Sequence, residues 1–296
     1  MGSRNRHYET KGRSDGGSLT EIAQPSGSGG YDEAVANSGD LSPCPNGVVL
    51  ARARALSPRH SERQKIKIVI ERAEDGGRWT ENAFSRLVKR PLSAPQFTQI
   101  AALIKDMSIF APQQLDALYS QWKSGSMMRS PSEISISGTY GEVLYSIVSD
   151  VKPSLIIEAG AGFGVSGSFI ASALRNHKSG QLVSFEIGNY WRTAEQNIRS
   201  FCDRARVFNG NFEELTRYIS SSVSVDMAFI DAIHDPQVIE RQVRGILGFM
   251  AKNGVIIIDD AFHEGKLTQA VKSLMNDRRI SFSASLGTRQ VVLVVK

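Results

Sequence analysis

Glu158-Ala159-Gly160-Ala161-Gly162-Phe163-Gly164 stands between a short apolar run, Leu155–Ile157, and a stretch with helical spacing, Ser166–Arg175. Glycines clustered at a strand-to-helix turn leave no Cβ between the backbone and an approaching ligand. The helix start that follows presents unpaired N–H groups. The stretch therefore predicts a ligand loop at the carboxyl end of a first strand, and the rest of the chain is read outward from it.

Downstream, apolar strand candidates recur at Leu182–Phe185, Arg206–Phe208, Met227–Ile230, Val255–Ile258, Ile280–Ala284 and Val291–Val295. Helical stretches Trp191–Cys202, Glu213–Ser220, Gln237–Met250 and Leu267–Asn276 separate all but the last pair. This alternation predicts an α/β fold with a mostly parallel sheet covered on both faces. The final two strands are joined only by residues around Gly287–Arg289, a loop that permits only an antiparallel hairpin.

Upstream, residues 61–136 read as a helical cap segment. Ser93 can cap a helix carrying Phe97, Ile100, Ala101, Ile104 and Met107 on one face. A second helix is expected after Pro112, with Leu115, Leu118, Tyr119 and Trp122 spaced by three and four. Gly125–Ser132 reads as a loop, and a third helix, Tyr140–Val151, leads into the first strand. Residues 1–60 hold nine of the 26 glycines and four of the ten prolines without an apolar period, and are expected to form a disordered tail.

Composition narrows the function classes. The net charge of +5 comes from scattered basic residues, so a mildly basic enzyme without a nucleic-acid partner is expected. Apolar runs such as Val291–Val295 fall far short of the roughly 20 residues of a membrane span. Cys44 and Cys202 have no metal-ligand spacing and suggest no disulfide framework. No apolar segment follows Arg4 and Arg6, and acids from Glu9 to Asp40 argue against a transit peptide, so a cytoplasmic location is expected. Trp79, Trp122 and the apolar cap faces suit either the monomer interior or the seam of a homodimer.

Three strand ends then converge on one nucleoside-sized site. Glu158 can fix the chain through the loop and face an ammonium group. Glu186 can accept two ribose hydroxyls, and Ile187 can pack against an adenine ring. Asn211 can bond the exocyclic amine of that ring. Open α/β sheets bind ligands at this carboxyl edge. A dinucleotide site is the rival, because Gly162-Phe-Gly164-Val-Ser-Gly167 fits that fingerprint and Glu186 lies at the expected distance. Against it, Gly160 already occupies the strand-proximal position, and the antiparallel finish suits such a site less well.

The stretch from Ser135 to Lys296, with its lead-in Gly138-Thr-Tyr-Gly141-Glu142 and the strand ends above, resembles the class I S-adenosylmethionine (SAM)-dependent methyltransferases. Within them it is similar to small-molecule O-methyltransferases of the catechol, caffeoyl-CoA and antibiotic-sugar types. The resemblance implies a Rossmann-like seven-stranded sheet over residues 137–296, SAM as cofactor and a small-molecule acceptor. Gly160, Gly162, Gly164, Glu158, Glu186, Ile187, Asn211 and Asp231 would surround the cofactor.

Asp231, Asp259 and Asp260 close the fourth and fifth strands at the same edge. Crowded carboxylates repel one another unless neutralised, and hard oxygen donors favour Mg²⁺. Strand-end aspartates also serve as caps, so the bland alternative stands beside the metal site. The resemblance places these three residues on the metal-ligand positions of metal-dependent O-methyltransferases. It puts His234 where the catechol enzyme has its base, and a histidine can take a hydroxyl proton near neutrality. His263 is a second candidate. The expected function is methyl transfer to a small-molecule hydroxyl with divalent-metal assistance. A metal-independent N- or C-methyltransferase, an NAD-dependent oxidoreductase and a non-catalytic partner-binding protein of the same fold remain alternatives.

Overall fold

The computed structural model describes residues 59–90, 92, 95–107, 113–114, 128–129, 135–233, 235–263 and 265–296. The expectations for the tail before residue 59, for Ser93, for the helix after Pro112 and for Gly125–Ser132 fall outside these residues, save the short ladder of Gln113–Gln114 with Met128–Arg129.

The chain enters through α1 (Arg59–Lys65), β1 (Ile68–Ala73), α2 (Glu81–Lys89) and α3 (Pro95–Met107). The two-residue strands β2 (Gln113–Gln114) and β3 (Met128–Arg129) follow, then α4 (Gly138–Val151). From there β4 (Leu155–Ala159), α5 (Val165–His177), β5 (Gln181–Glu186), α6 (Trp191–Arg199) and β6 (Ala205–Asn209) alternate. A 3₁₀ helix at Phe212–Arg217 precedes β7 (Val225–Ile230), α7 (Pro236–Ile246) and β8 (Met250–Ile258). The short β9 (Phe262–His263) and β10 (Lys266–Leu267), α8 (Gln269–Met275) and the hairpin β11 (Ile280–Leu286) with β12 (Gln290–Val295) complete the chain.

The expected mostly parallel sheet with an antiparallel terminal hairpin is present, with one strand more than seven. Its order is β1-β11-β12-β8-β7-β4-β5-β6. Strands β8, β7, β4, β5 and β6 are parallel, whereas β12 runs against both β8 and β11. The extra strand, β1, pairs antiparallel with β11 at the edge of the sheet, inside what reads as a helical segment. Its signal is the β-branched run Ile68-Val69-Ile70. The helix expected to reach Met250 stops at Ile246, and Met250 opens β8; the intervening Gly248 breaks the helical period while Phe249 keeps it apolar.

Two apolar clusters cover the two faces. One face packs α4 and α5 over Ile156, Met227, Val255 and Phe282; the other packs α7 and α8 over Ile157, Ala228, Ile256 and Leu293. The described part of the amino-terminal segment adds Trp79, Phe84, Val88 and Ile100 to the first cluster. Trp79 lies inside it, 5.1 Å from the Phe84 ring, with its Nε1 donating to Asp150 at 2.8 Å. Arg63 is buried beneath α4, donating to the Val88 carbonyl at 2.6 Å and to Ser146 Oγ at 2.9 Å. These contacts join α1 and α2 to the sheet-covering layer.

Strand order reverses beside β4. From β4 the chain moves outward to β5 and β6, then returns to lay β7 on β4's other side. Such a switch point opens a crevice at the carboxyl ends of the strands.

Candidate functional site

Hydrogen bonds continue across the carboxyl edge beyond the strands and hold its loops in register. Asp231 N–H donates to Ala159 O at 2.9 Å, Asp259 N–H to Ile230 O at 2.9 Å, and Gly210 N–H to Glu186 O at 3.0 Å. The N–H groups of Gly160 and Ala161 both donate to Phe185 O at 3.0 Å, folding the glycine loop over β5.

Three glycines of that loop answer different demands. Gly160 sits at φ +84° with its back on the Asp231 carbonyl, where a Cβ would overlap that oxygen. Gly164 sits at φ +86°, and a Cβ there would come 2.7 Å from Ala194 O, so it sets the approach of α6 to the loop. Gly162, at φ +54°, has nothing within 4 Å of its Cβ direction. Open space therefore adjoins the middle of the loop, between the ends of β4 and β5.

Glu186 bounds that space. Its carboxylate accepts Gly162 N–H and Gly188 N–H, each at 2.7 Å. Ile187 next to it is 41% exposed, the one large hydrophobic side chain left that open among the described residues. Phe163 stacks on Tyr190 at 4.6 Å, and Asn197 Nδ2 holds the Phe163 carbonyl at 2.9 Å. Asn211 caps the 3₁₀ helix through a 3.0 Å bond from Glu213 N–H.

Glu158 lies deeper than the lip. Its side chain is fully buried under the first turn of α5, accepting Ser166 Oγ–H at 2.6 Å and a short hydrogen bond from Ser184 Oγ–H. Burial pushes its pKa up to about 7; the two hydroxyls oppose this and the nearby Glu186 adds to it. A buried acid with two donors links β4, β5 and α5 directly behind the glycine loop.

Asp231, Asp259 and Asp260 do come together, with one carboxylate oxygen from each within 4.8 Å of the others. Asp260 adopts φ +46°, which turns it back toward the cluster after β8 ends. The sequence reading missed what completes the group. Arg289, at the β11–β12 turn, donates from Nε to both Asp259 oxygens at 2.9 and 3.0 Å and from Nη2 to Oδ2 at 2.7 Å. Its Nε is also 3.7 Å from Asp260. Burial works against the guanidinium charge, but Asp259, Asp260 and Asp231 together outweigh it and hold the Arg289 pKa above its ordinary value. Tyr140 lies beneath, with the Arg289 guanidinium carbon 5.8 Å from its ring centre.

Topology carried the signal for Arg289. Because β12 is antiparallel, it begins where the parallel strands end. His234 and the side chain of His263 fall outside the described residues.

The open space at Gly162, the carboxylate at the second strand end and the exposed aliphatic beside it suit a nucleoside cofactor. Three carboxylates suit a hard divalent cation. With both Asp259 oxygens engaged by a guanidinium, however, this arrangement does not fit a metal ion resident on all three.

Comparison with known proteins finds likenesses that include this edge. Residues 157–261 match the family model of a methyltransferase domain, a stretch running from β4 through the loop after β8. An O-methyltransferase from Bacillus cereus, solved with S-adenosylhomocysteine (SAH), is similar in structure with a TM-score of 0.50 at 19% identity, over 74% of this chain and 98% of its own. A structure from Klebsiella pneumoniae also reaches a TM-score of 0.50, at 15% identity over 70% of this chain and 92% of its own. A SAH-bound methyltransferase of Podospora anserina follows with a TM-score of 0.49 at 17% identity, over 70% of this chain and 97% of its own. No curated protein matches the sequence. The family match covers about a third of the chain, and the structural likenesses, all below 25% identity, are likenesses of fold. Among the described residues no helix is long and apolar enough to cross a membrane.

Proposed function

We propose that the protein transfers the methyl group of SAM to a hydroxyl of a small molecule. The observation that carries this reading is the Glu186 carboxylate bound to Gly162 N–H beside the open space at Gly162, within a matched methyltransferase domain. SAM, when bound, supplies a methyl group on a positively charged sulfur.

The chain's residues then divide the work. Gly160 and Gly164 keep the loop in the conformation that leaves room at Gly162. Glu186 takes the ribose hydroxyls on its remaining lone pairs, and Ile187 covers one face of the adenine. Asn211 keeps a lone pair for the adenine amine while capping its helix. Glu158 braces the loop from behind and, once ionised, places negative charge toward the amino-acid end of the cofactor.

Asp231 follows the strand that borders β4 and lies beside the reacting centre. His234, three residues on, removes the proton from the acceptor hydroxyl as the oxygen attacks. A base of near-neutral pKa suits that task. Holding the hydroxyl in line with the departing sulfur supplies much of the acceleration, for which oriented reactions offer about 7–11 kcal/mol. The metal-assisted form expected from the sequence would require Asp259 to release Arg289. The form adopted here keeps that ion pair.

The test is a methyltransferase assay that reads SAH release against a panel of phenols, sugars and polyketide-like alcohols, with amines as controls. Turnover on a hydroxyl acceptor that His234→Ala reduces is expected. Tight SAH binding without turnover on any acceptor would overturn the catalytic reading in favour of a partner-binding role.

A further inference from the structure

The Arg289 guanidinium is gripped from several sides. Its backbone carbonyl accepts Ala261 N–H at 2.8 Å, which fixes the turn to the segment after β8. The Tyr140 hydroxyl, from the first turn of α4, reaches the Leu286 carbonyl at 3.3 Å and abuts Gly287, so the ring supports the turn from below. Asp259, only 1% exposed, receives three N–H contacts from the fork. A buried carboxylate paired in this way is strongly committed to its partner, because separation leaves a charge without compensation.

A hard divalent ion needs the lone pairs that these N–H groups already occupy. Mg²⁺ also demands near-ideal octahedral geometry at about 2.0–2.1 Å, which leaves little freedom to share Asp259 with a second cation. Arginine is suited to the opposite role, being planar, permanently charged and matched to a carboxylate by two prongs.

We propose that Arg289 is the resident cation of the Asp231–Asp259–Asp260 cluster. It occupies the role a divalent metal would have there, and it positions the methyl acceptor. Among the described residues no hydrogen bond engages Nη1, which leaves that group as the donor for an acceptor oxygen. The acceptor this favours carries an oxygen next to the reacting hydroxyl. Its place as a positioning residue rests on the methyltransferase reading; its exclusion of metal does not.

The experiment is Mn²⁺ binding to the full chain, read by electron paramagnetic resonance, with circular dichroism as a check on folding. Wild-type protein is expected to show no saturable site below millimolar Mn²⁺. Arg289→Ala should gain one site at least tenfold tighter, and Asp259→Asn in that background should remove it. Micromolar Mn²⁺ binding to wild type that Asp259→Asn abolishes would overturn the proposal, a result that needs no arginine variant to fold. A folded Arg289→Ala that gains no Mn²⁺ site would overturn it as well. Binding of SAH, measured on the same samples, reports separately on the cofactor reading.

Discussion

Glu186 and Gly162 are bound to each other across the carboxyl edge, the carboxylate accepting the glycine N–H at 2.7 Å. Twenty-four residues apart in sequence, they join the end of β5 to the middle of the loop after β4. Hydrogen bonds to charged groups contribute about 1.5–3 kcal/mol. Glu186→Ala is therefore expected to weaken SAH binding by roughly 10- to 100-fold, through lost ribose contacts and a loosened loop. Calorimetric titration of the variant checks this; unchanged affinity would remove Glu186 from the cofactor site.

The loop glycines separate stability from binding. Gly160→Ala would force a Cβ against the Asp231 carbonyl at a positive φ, and should lower stability by at least about 2 kcal/mol. Gly162→Ala meets no atom within 4 Å and incurs only the left-handed backbone cost of roughly 1–2 kcal/mol. It should fold, yet lose at least about tenfold in SAH affinity by filling the space beside Glu186, equivalent to about 1.4 kcal/mol. Thermal melts and SAH titrations check both: Gly160→Ala should melt lower than Gly162→Ala, and Gly162→Ala should lose SAH affinity with its fold retained.

Glu158 should make folding pH-dependent in a particular direction. Its folded pKa of about 7 lies above the ordinary value of 4.5, so the folded state holds this proton more tightly than the unfolded state. Its contribution is fully present below about pH 4.5 and is lost as pH rises toward 7. Glu158→Gln, neutral at all pH, should remove that component. The stability difference, variant minus wild type, should therefore rise between pH 5 and pH 7.5, by something on the order of 2–3 kcal/mol. Denaturant melts at several pH values measure it, and a flat difference would contradict the assignment.

His234 carries the proton-transfer prediction. His234→Ala should lower kcat by about 10²- to 10⁴-fold while leaving SAH affinity unchanged. The acidic limb of the wild-type rate profile should disappear in the variant. A variant with the same limb would move the base elsewhere.

Much of the fold was legible because period and punctuation agreed. The apolar runs at Leu155–Ile157, Leu182–Phe185 and Val255–Ile258 are too short for helices, and glycine or helical stretches divide them. The loop at Gly287–Arg289 left only a hairpin. Strand β1 was harder to see, since it is an edge strand whose charged neighbours Lys65, Lys67, Glu71 and Arg72 blend with the adjoining helices.

The gathering of Asp231, Asp259 and Asp260 was legible because they close neighbouring parallel strands. Contacts between residues distant in sequence across the antiparallel half of the sheet were not. The 30-residue separation of Asp259 and Arg289 hides a contact that only the antiparallel return of β12 creates. The depth of Glu158 was equally hidden. A strand-end acid reads as a ligand, and only the packing of Ser166 and Ser184 around it reveals an internal brace.

Calorimetric titration of the purified protein with SAH, using NADH as the control, decides which cofactor the glycine loop takes. Saturable one-to-one binding in the micromolar range is expected for SAH, diminished in Gly162→Ala, and none for NADH. Absence of SAH binding, or binding of NADH in its place, would contradict the methyltransferase reading and turn the glycine loop into a dinucleotide site.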